Sequence, residues 1–211
     1  GRLRTFMYAE ANHLDGYLNR QTLVAHRVLG TVYERLIRFK TGPEVPANTA
    51  ILEPNLAESW ETPNDTTYIF HLRQGVKWQN LPPVNGREFT AEDVVWSFNR
   101  IATLPGSASA FLFEPVTKVE AVDKYTVKVT TSTPYAPFLT NLANPFLFIA
   151  PKEIVEADGD LKKRAIGTGP FVVTKWIPNV SMKLDRNPNF YLPGIPYLDG
   201  IDIFTIPNVS A

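Results

Sequence analysis

The side chains able to do chemistry in this chain are few and widely spaced. Its three histidines stand at positions 13, 26 and 71. They show no His-x-x-x-His spacing, and His26 has no second histidine or carboxylate one helical turn on, so they do not form the pattern of a metal centre. Cysteine is absent, which removes thiolate nucleophiles, thiolate metal ligands and disulfides but leaves the compartment undefined. No Gly-x-Ser-x-Gly elbow occurs. Carboxylates pair in sequence at Glu92-Asp93 and Asp199/Asp202, where an acid and a base could be sought. Adjacent residues on a helix do not face one another, however, and acids in a first helical turn answer the positive helix end. Ile166-Gly167-Thr168-Gly169-Pro170-Phe171 lacks the additional glycines, the lysine and the preceding strand of a phosphate loop. The sequence therefore predicts no catalytic residue, no metal ligand and no cofactor.

Binding chemistry is better supplied. Ala11-Asn12-His13-Leu14-Asp15-Gly16-Tyr17 mixes small, polar and aromatic residues in one loop, a composition by which backbone and side chains can meet a ligand. A small-residue loop, Leu104–Ala110, exits on Phe111 and Phe113. Phe111 can stack on a ligand from such a place or anchor in the core. Trp60, Trp78, Trp96 and Trp176 could include a stacking platform, although the first three stand among apolar neighbours that suggest core.

The elements that must position these groups are legible as periodicities. Leu3 to Tyr8 reads as a first strand, buried on at least one side. From about Thr22 to Arg38, Val24, Val28, Leu29, Val32, Tyr33, Leu36 and Ile37 recur at helical spacing, with Tyr33 read as core. After a turn at Pro63-Asn64-Asp65, Thr67, Ile69 and His71 alternate with Tyr68, Phe70 and Leu72 in a strand with one apolar face. Thr90 followed by Asp93 reads as a helix start, and Ala91, Val94, Val95, Phe98, Ile101 and Ala102 make its apolar stripe. Val119–Thr131 alternates on both sides of Asp123-Lys124, a hairpin with one wet face. Short helices follow near Pro134–Leu142 and Pro151–Ala157. Strands are then expected at Phe171–Trp176 and Met182–Arg186, separated by a turn at Pro178-Asn179, and the chain closes on a strand expected to be edge-exposed.

The totals agree with this mixture. Eighteen prolines and 12 glycines in 211 residues imply many turns between short strands, so the fold class is α/β, mixed α and β. Lysine plus arginine equals aspartate plus glutamate at 21 each, giving no net field to recruit nucleic acid. The apolar run Pro145–Pro151 is far shorter than the roughly 20 residues that cross a bilayer, so no direct membrane span is expected. Nor does the chain open on a signal segment.

Two stretches taken in order carry a resemblance. Leu56–Trp60 is followed by Tyr68-Ile69-Phe70-His71-Leu72-Arg73-Gln74-Gly75-Val76-Lys77-Trp78, and then comes Phe89-Thr90-Ala91-Glu92-Asp93-Val94-Val95-Trp96-Ser97-Phe98. With Gly167–Phe171, they resemble the extracytoplasmic solute-binding proteins of family 5, the peptide-, nickel- and oligosaccharide-binding components of ATP-driven importers.

The resemblance implies a periplasmic-binding-protein type II-like first lobe with an inserted α/β subdomain. Residues 1–46 and 149–211 would form the lobe and 47–148 the insert, with the second lobe absent from this chain. It implies Glu10, Ala11, Asn12 and His13 as ligand contacts, because residues before a Leu-Asp pair line the cleft in the family. Here Leu14-Asp15 is followed by Gly16 where the family commonly has proline; the alternative reading of Asp15 is a cap for the next turn. It also implies that Asn144 can face the ligand, its amide being both donor and acceptor. Capping around Pro145 is the alternative.

The implied function is capture of a small-molecule solute, oligopeptide before oligosaccharide, by a monomer outside the cytoplasmic membrane. Delivery would be to the membrane permease of an ABC importer. Readings of another class are a protein-protein interaction module and an enzyme such as an unmarked hydrolase.

Overall fold

The computed structural model describes residues 1–8, 13–18 and 28–206, and within them the alternation of Thr67–Leu72 becomes a strand with Tyr68, Phe70 and Leu72 buried. In chain order the elements are β1 (Arg2–Met7), α1 (Gly30–Val32), β2 (Ile37–Phe39), β3 (Leu52–Pro54), β4 (Ala57–Asn64), β5 (Thr67–Leu72), α2 (Ala91–Thr103), β6 (Val116–Asp123), β7 (Thr126–Thr131), α3 (Phe138–Leu142), α4 (Lys152–Asp158), β8 (Phe171–Ile177), β9 (Ser181–Arg186) and β10 (Gly200–Thr205). They fall into two compact units. The first comprises Gly1–Tyr33, Gly75–Glu88 and Ala150–Ala211; the second comprises Glu34–Gln74 and Phe89–Ile149.

In the second unit, β4, β5, β7 and β6 form an antiparallel sheet in that order. Val127 and Val129 of β7 are buried beside Tyr68 and Phe70 of β5, with which they share one face. Helix α2 packs on β6 and β7, burying Ala91, Val94, Phe98 and Ile101. Ala102, expected in this stripe, is exposed. A capping box starts the helix: the Thr90 N–H donates to Asp93 Oδ2 at 2.9 Å, satisfying an amide the first turn would leave open. Asp93 is thereby structural.

Strand β4 corrects the expected turn at Pro63. The strand runs on to Asn64, with a register irregularity between Glu61 and Asn64, and the chain reverses at Asp65-Thr66. Because β4 is an edge strand, a proline without an N–H is tolerated there. The Asn64 side chain instead makes the turn, its Oδ1 accepting the Thr66 N–H at 3.0 Å.

Of the helix expected from about Thr22 to Arg38, residues 22–27 lie outside the described residues, and the described part stops at Val32. Tyr33 is extended after α1, and Ile37–Phe39 is strand β2, paired antiparallel with β3. The Leu36 carbonyl accepts N–H groups from Asn55 and Ala57. Val32, Tyr33, Leu36 and Ile37 are nevertheless all buried, so the apolar spacing was met by another backbone. Pairing with a distant strand outweighed helical propensity, which is a weak prior.

In the first unit the sheet order is β1-β10-β9-β8. β1 runs parallel to β10, while β9 is antiparallel to both β10 and β8. Met7, Ile203, Met182 and Leu184 are buried. The closing strand β10 is thus interior to the sheet, correcting the expectation of an exposed edge; among the described residues the edges are β1 and β8. Edge position also explains why Leu3 and Phe6 of β1 are exposed although the strand was expected to bury at least one side.

Candidate functional site

The loop after β1 contributes His13 through Leu18 to the described residues, whereas Glu10, Ala11 and Asn12 lie outside them. Asp15 is fully buried and its Oδ1 accepts the Tyr17 N–H at 3.1 Å, the local bond by which an aspartate builds a turn. Its own N–H donates to His13 Nδ1 at 3.2 Å. The half-buried His13 ring thus accepts through Nδ1. Leu14 is buried and its N–H bonds the Lys162 carbonyl at 2.9 Å. Loop and core are thus tied at consecutive residues.

Behind this loop lies Tyr33, buried, with its phenol pushed well up by burial. The Gly167-Thr168-Gly169 segment approaches the Val32-Tyr33 backbone closely: the Gly169 N–H donates to the Val32 carbonyl at 2.8 Å. A Cβ on Gly167 would stand 2.6 Å from the Val32 carbonyl carbon, and one on Gly169 would stand 2.6 Å from its oxygen. Only glycine permits this approach. The motif that resembles a phosphate loop is a packing joint.

Buried Gln79 fastens the same joint. Its backbone N–H donates to Gly167 O at 2.9 Å, its Oε1 accepts the Gly167 N–H at 3.2 Å, and its Nε2 donates to Phe171 O at 2.8 Å. Asn187, also buried, donates from Nδ2 to Gly169 O at 2.9 Å. Neither was singled out by sequence reasoning, because a polar residue in a short loop gives no periodic signal. Nearby, Arg87 forks onto Glu153, with Nη2–Oε2 at 2.9 Å, and lies over the Trp78 ring at 5.7 Å. Burial raises the Glu153 pKa, but the Arg87 hydrogen bond, a backbone hydrogen bond and the charges of Arg87 and Lys152 together outweigh it and hold the carboxyl below its usual range.

The other two expected contacts lie in the second unit. Phe111 sits in the 3-10 turn Ala110–Phe113 and is 62% exposed, while Phe113 is buried with its ring 5.0 Å from that of Phe98. Phe113 is the anchor, and Phe111 is presented to solvent. Asn144 follows α3, its Oδ1 accepting the Phe146 N–H at 3.0 Å in a turn around Pro145. Phe111 and Asn144 stand on separate elements of that unit, and His13 belongs to the other.

Of the four tryptophans, Trp78 is core, whereas Trp60, Trp96 and Trp176 are half-buried. The acid pair Asp199/Asp202 is occupied by arginines: Asp199 takes Arg186 at 2.7 Å and Asp202 takes Arg2 at 2.7 Å. Among the described residues no group of three histidines, cysteines or carboxylates is placed to hold a metal ion. No described helix is long and apolar enough to cross a membrane.

The description "Bacterial extracellular solute-binding proteins, family 5 Middle" matches residues 52–211. A Di/tripeptide-binding protein 4 of Pseudomonas aeruginosa is 34% identical over 202 residues, which is 85% of this chain and 36% of that relative. The periplasmic binding protein DppA of Helicobacter pylori, solved with the peptide STSA, superimposes with a TM-score of 0.83 at 33% identity, covering 99% of this chain and 43% of that one. MoaA of A. tumefaciens R10, solved with mannopinic acid, gives a TM-score of 0.85 at 32% identity, covering 98% and 41%. The chain thus spans about a third of the curated relative's length.

Proposed function

The chain belongs to the bacterial extracellular solute-binding proteins of family 5, and we propose that it supplies the first lobe and inserted subdomain of one that captures short peptides. The observation that carries this reading is its fold-wide likeness to a peptide-bound protein together with its likeness to a di/tripeptide-binding one. The family is one of binding proteins rather than enzymes. Capture takes place outside the cytoplasmic membrane, and the peptide passes to the permease of an ABC importer.

In this reading the loop Glu10–His13 and Asn144 offer polar groups to peptide amides, and the exposed Phe111 ring offers an apolar wall. The Gln79 joint with the Gly167–Gly169 segment fixes the Val32-Tyr33 backbone within the first unit. A second lobe closes over the ligand and excludes water. One lobe alone leaves amide contacts unmade, each worth about 1–3 kcal/mol when desolvated, so the 211-residue chain binds peptides far more weakly than a protein carrying both lobes.

Native mass spectrometry of the two-lobed protein purified from its host tests the solute class. A released species with the mass and fragmentation of a di- or tripeptide is expected. A released oligosaccharide would overturn the peptide assignment while leaving the binding role.

A further inference from the structure

The second unit holds a cavity of about 260 Å³, bordered by the β4–β5 turn and by the approach to α3. Its aromatic lining is fixed in place. The Tyr68 hydroxyl donates to the Tyr135 carbonyl at 3.0 Å, and the Tyr135 hydroxyl accepts from Asn141 Nδ2 at 2.8 Å. Both rings also stand against buried Phe138, whose centroid lies 4.6 Å from that of Tyr68 and 6.1 Å from that of Tyr135. Pro134 and Leu139 add apolar surface to the same cavity. The one charged side chain on its lining is Asp65. The turn that carries this aspartate is pinned by Asn64, whose Oδ1 accepts the Thr66 N–H at 3.0 Å and the Thr66 hydroxyl at 3.1 Å. Asp65 itself is exposed and makes no hydrogen bond or ion pair among the described residues.

We propose that this cavity binds a protonated alkylamine, either a free small amine or a lysine side chain of a partner polypeptide. The ammonium pairs with the Asp65 carboxylate and lies against the tyrosine rings, whose electron-rich faces attract cations. Its alkyl stem covers Pro134 and Leu139, as amphipathic side chains do on apolar surface. An anion would meet Asp65 and be repelled. A sugar asks for many donors and acceptors, and the Asn64 carbonyl, the Tyr68 hydroxyl and the Tyr135 hydroxyl oxygen are already engaged. The size agrees: about 260 Å³ falls just under the roughly 300–1,000 Å³ of sites for drug-sized ligands and suits one linear chain. Because the rings and the turn are held before a ligand arrives, little ordering is left to oppose binding. The inference does not depend on which solute the protein carries.

Amide chemical-shift titration of the isotope-labelled protein tests it, with N-acetyl-lysine N-methylamide, n-butylammonium and, as the uncharged isostere, N-acetyl-norleucine N-methylamide. Both amines are expected to give saturable shifts centred on Thr66–Tyr68 and Tyr135–Leu139, and the norleucine probe none. Asp65→Asn, which removes no hydrogen bond among the described residues, weakens both amines about fivefold. Tighter binding of the lysine probe than of butylammonium assigns the site to a polypeptide side chain, and equal or tighter binding of butylammonium assigns it to a free amine; either upholds the proposal. No saturable shift with either amine, equal binding of the norleucine probe, or indifference to Asp65→Asn would overturn it. So would shifts at these residues with maltotriose and none with the amines.

Discussion

The two units are held together by different means. In the second, α2 lies on a four-stranded sheet and the core is an apolar layer: Phe98, Ile101 and Val94 on the helix, with Phe70, Val127 and Val129 among the strands. In the first, the critical joint is polar and tight, with Gln79 and Asn187 bonding a glycine segment that touches the Val32-Tyr33 backbone. An apolar layer can repack around a changed side chain, whereas a backbone-to-backbone approach has nowhere to move. The joint should therefore fail more abruptly than the layer.

Gly167→Ala is expected to have the largest effect, on the order of 5 kcal/mol or more, since its Cβ would overlap the Val32 carbonyl. Hydrogen exchange should show protection lost over β8 and β9 first; a variant with unchanged melting temperature would erase the contrast. Phe98→Ala comes next, costing about 3–5 kcal/mol as a large cavity opens between α2 and Phe113, read by urea unfolding with protection lost over α2 and β7. Gln79→Ala leaves the Gly167 N–H and Phe171 carbonyl unpaired in the interior, costing about 2–3 kcal/mol by the same measurement.

The legibility of the two units differs for the same reason. Alternation over Thr67–Leu72 and the stripe of α2 announced the second unit, because burial on one face of a strand or helix leaves a period in the sequence. Thr90 and Asp93 announced the helix start in the same local way. Gln79 and Asn187 left no period, and the return of Gly75–Glu88 to the first unit is set by long-range bonds such as Gln79 to Gly167. The segment Tyr33–Phe39 misled for a related reason: its apolar spacing suits both a helix and the extended path to β2. Among the expected contacts, the turn-forming bonds of Asp15 and Asn144 follow from residue type alone. The exposure of Phe111 as against Phe113 depends on which ring meets Phe98, and no local rule decides that.

The smallest expected effect concerns pH. The Glu153 carboxyl is held below its usual range in the folded state, so its pairing with Arg87 stabilises the first unit above the ordinary glutamate pKa and is lost as pH falls through the lowered value. Glu153→Gln should cost about 1 kcal/mol at neutral pH, and the gap from the parent should close as the pH falls below the ordinary glutamate range and the carboxyl protonates. Thermal unfolding across that range checks it; a gap that widens in acid would mean that the pair is not what stabilises the joint.

The central claim is that this fold grasps peptides. Calorimetric titration of the two-lobed protein with trialanine and, separately, with maltotriose tests it most directly. The account predicts saturable one-to-one heat with the peptide and none with the sugar. Saturable heat with maltotriose alone, or none with a full set of di- and tripeptides, would contradict it.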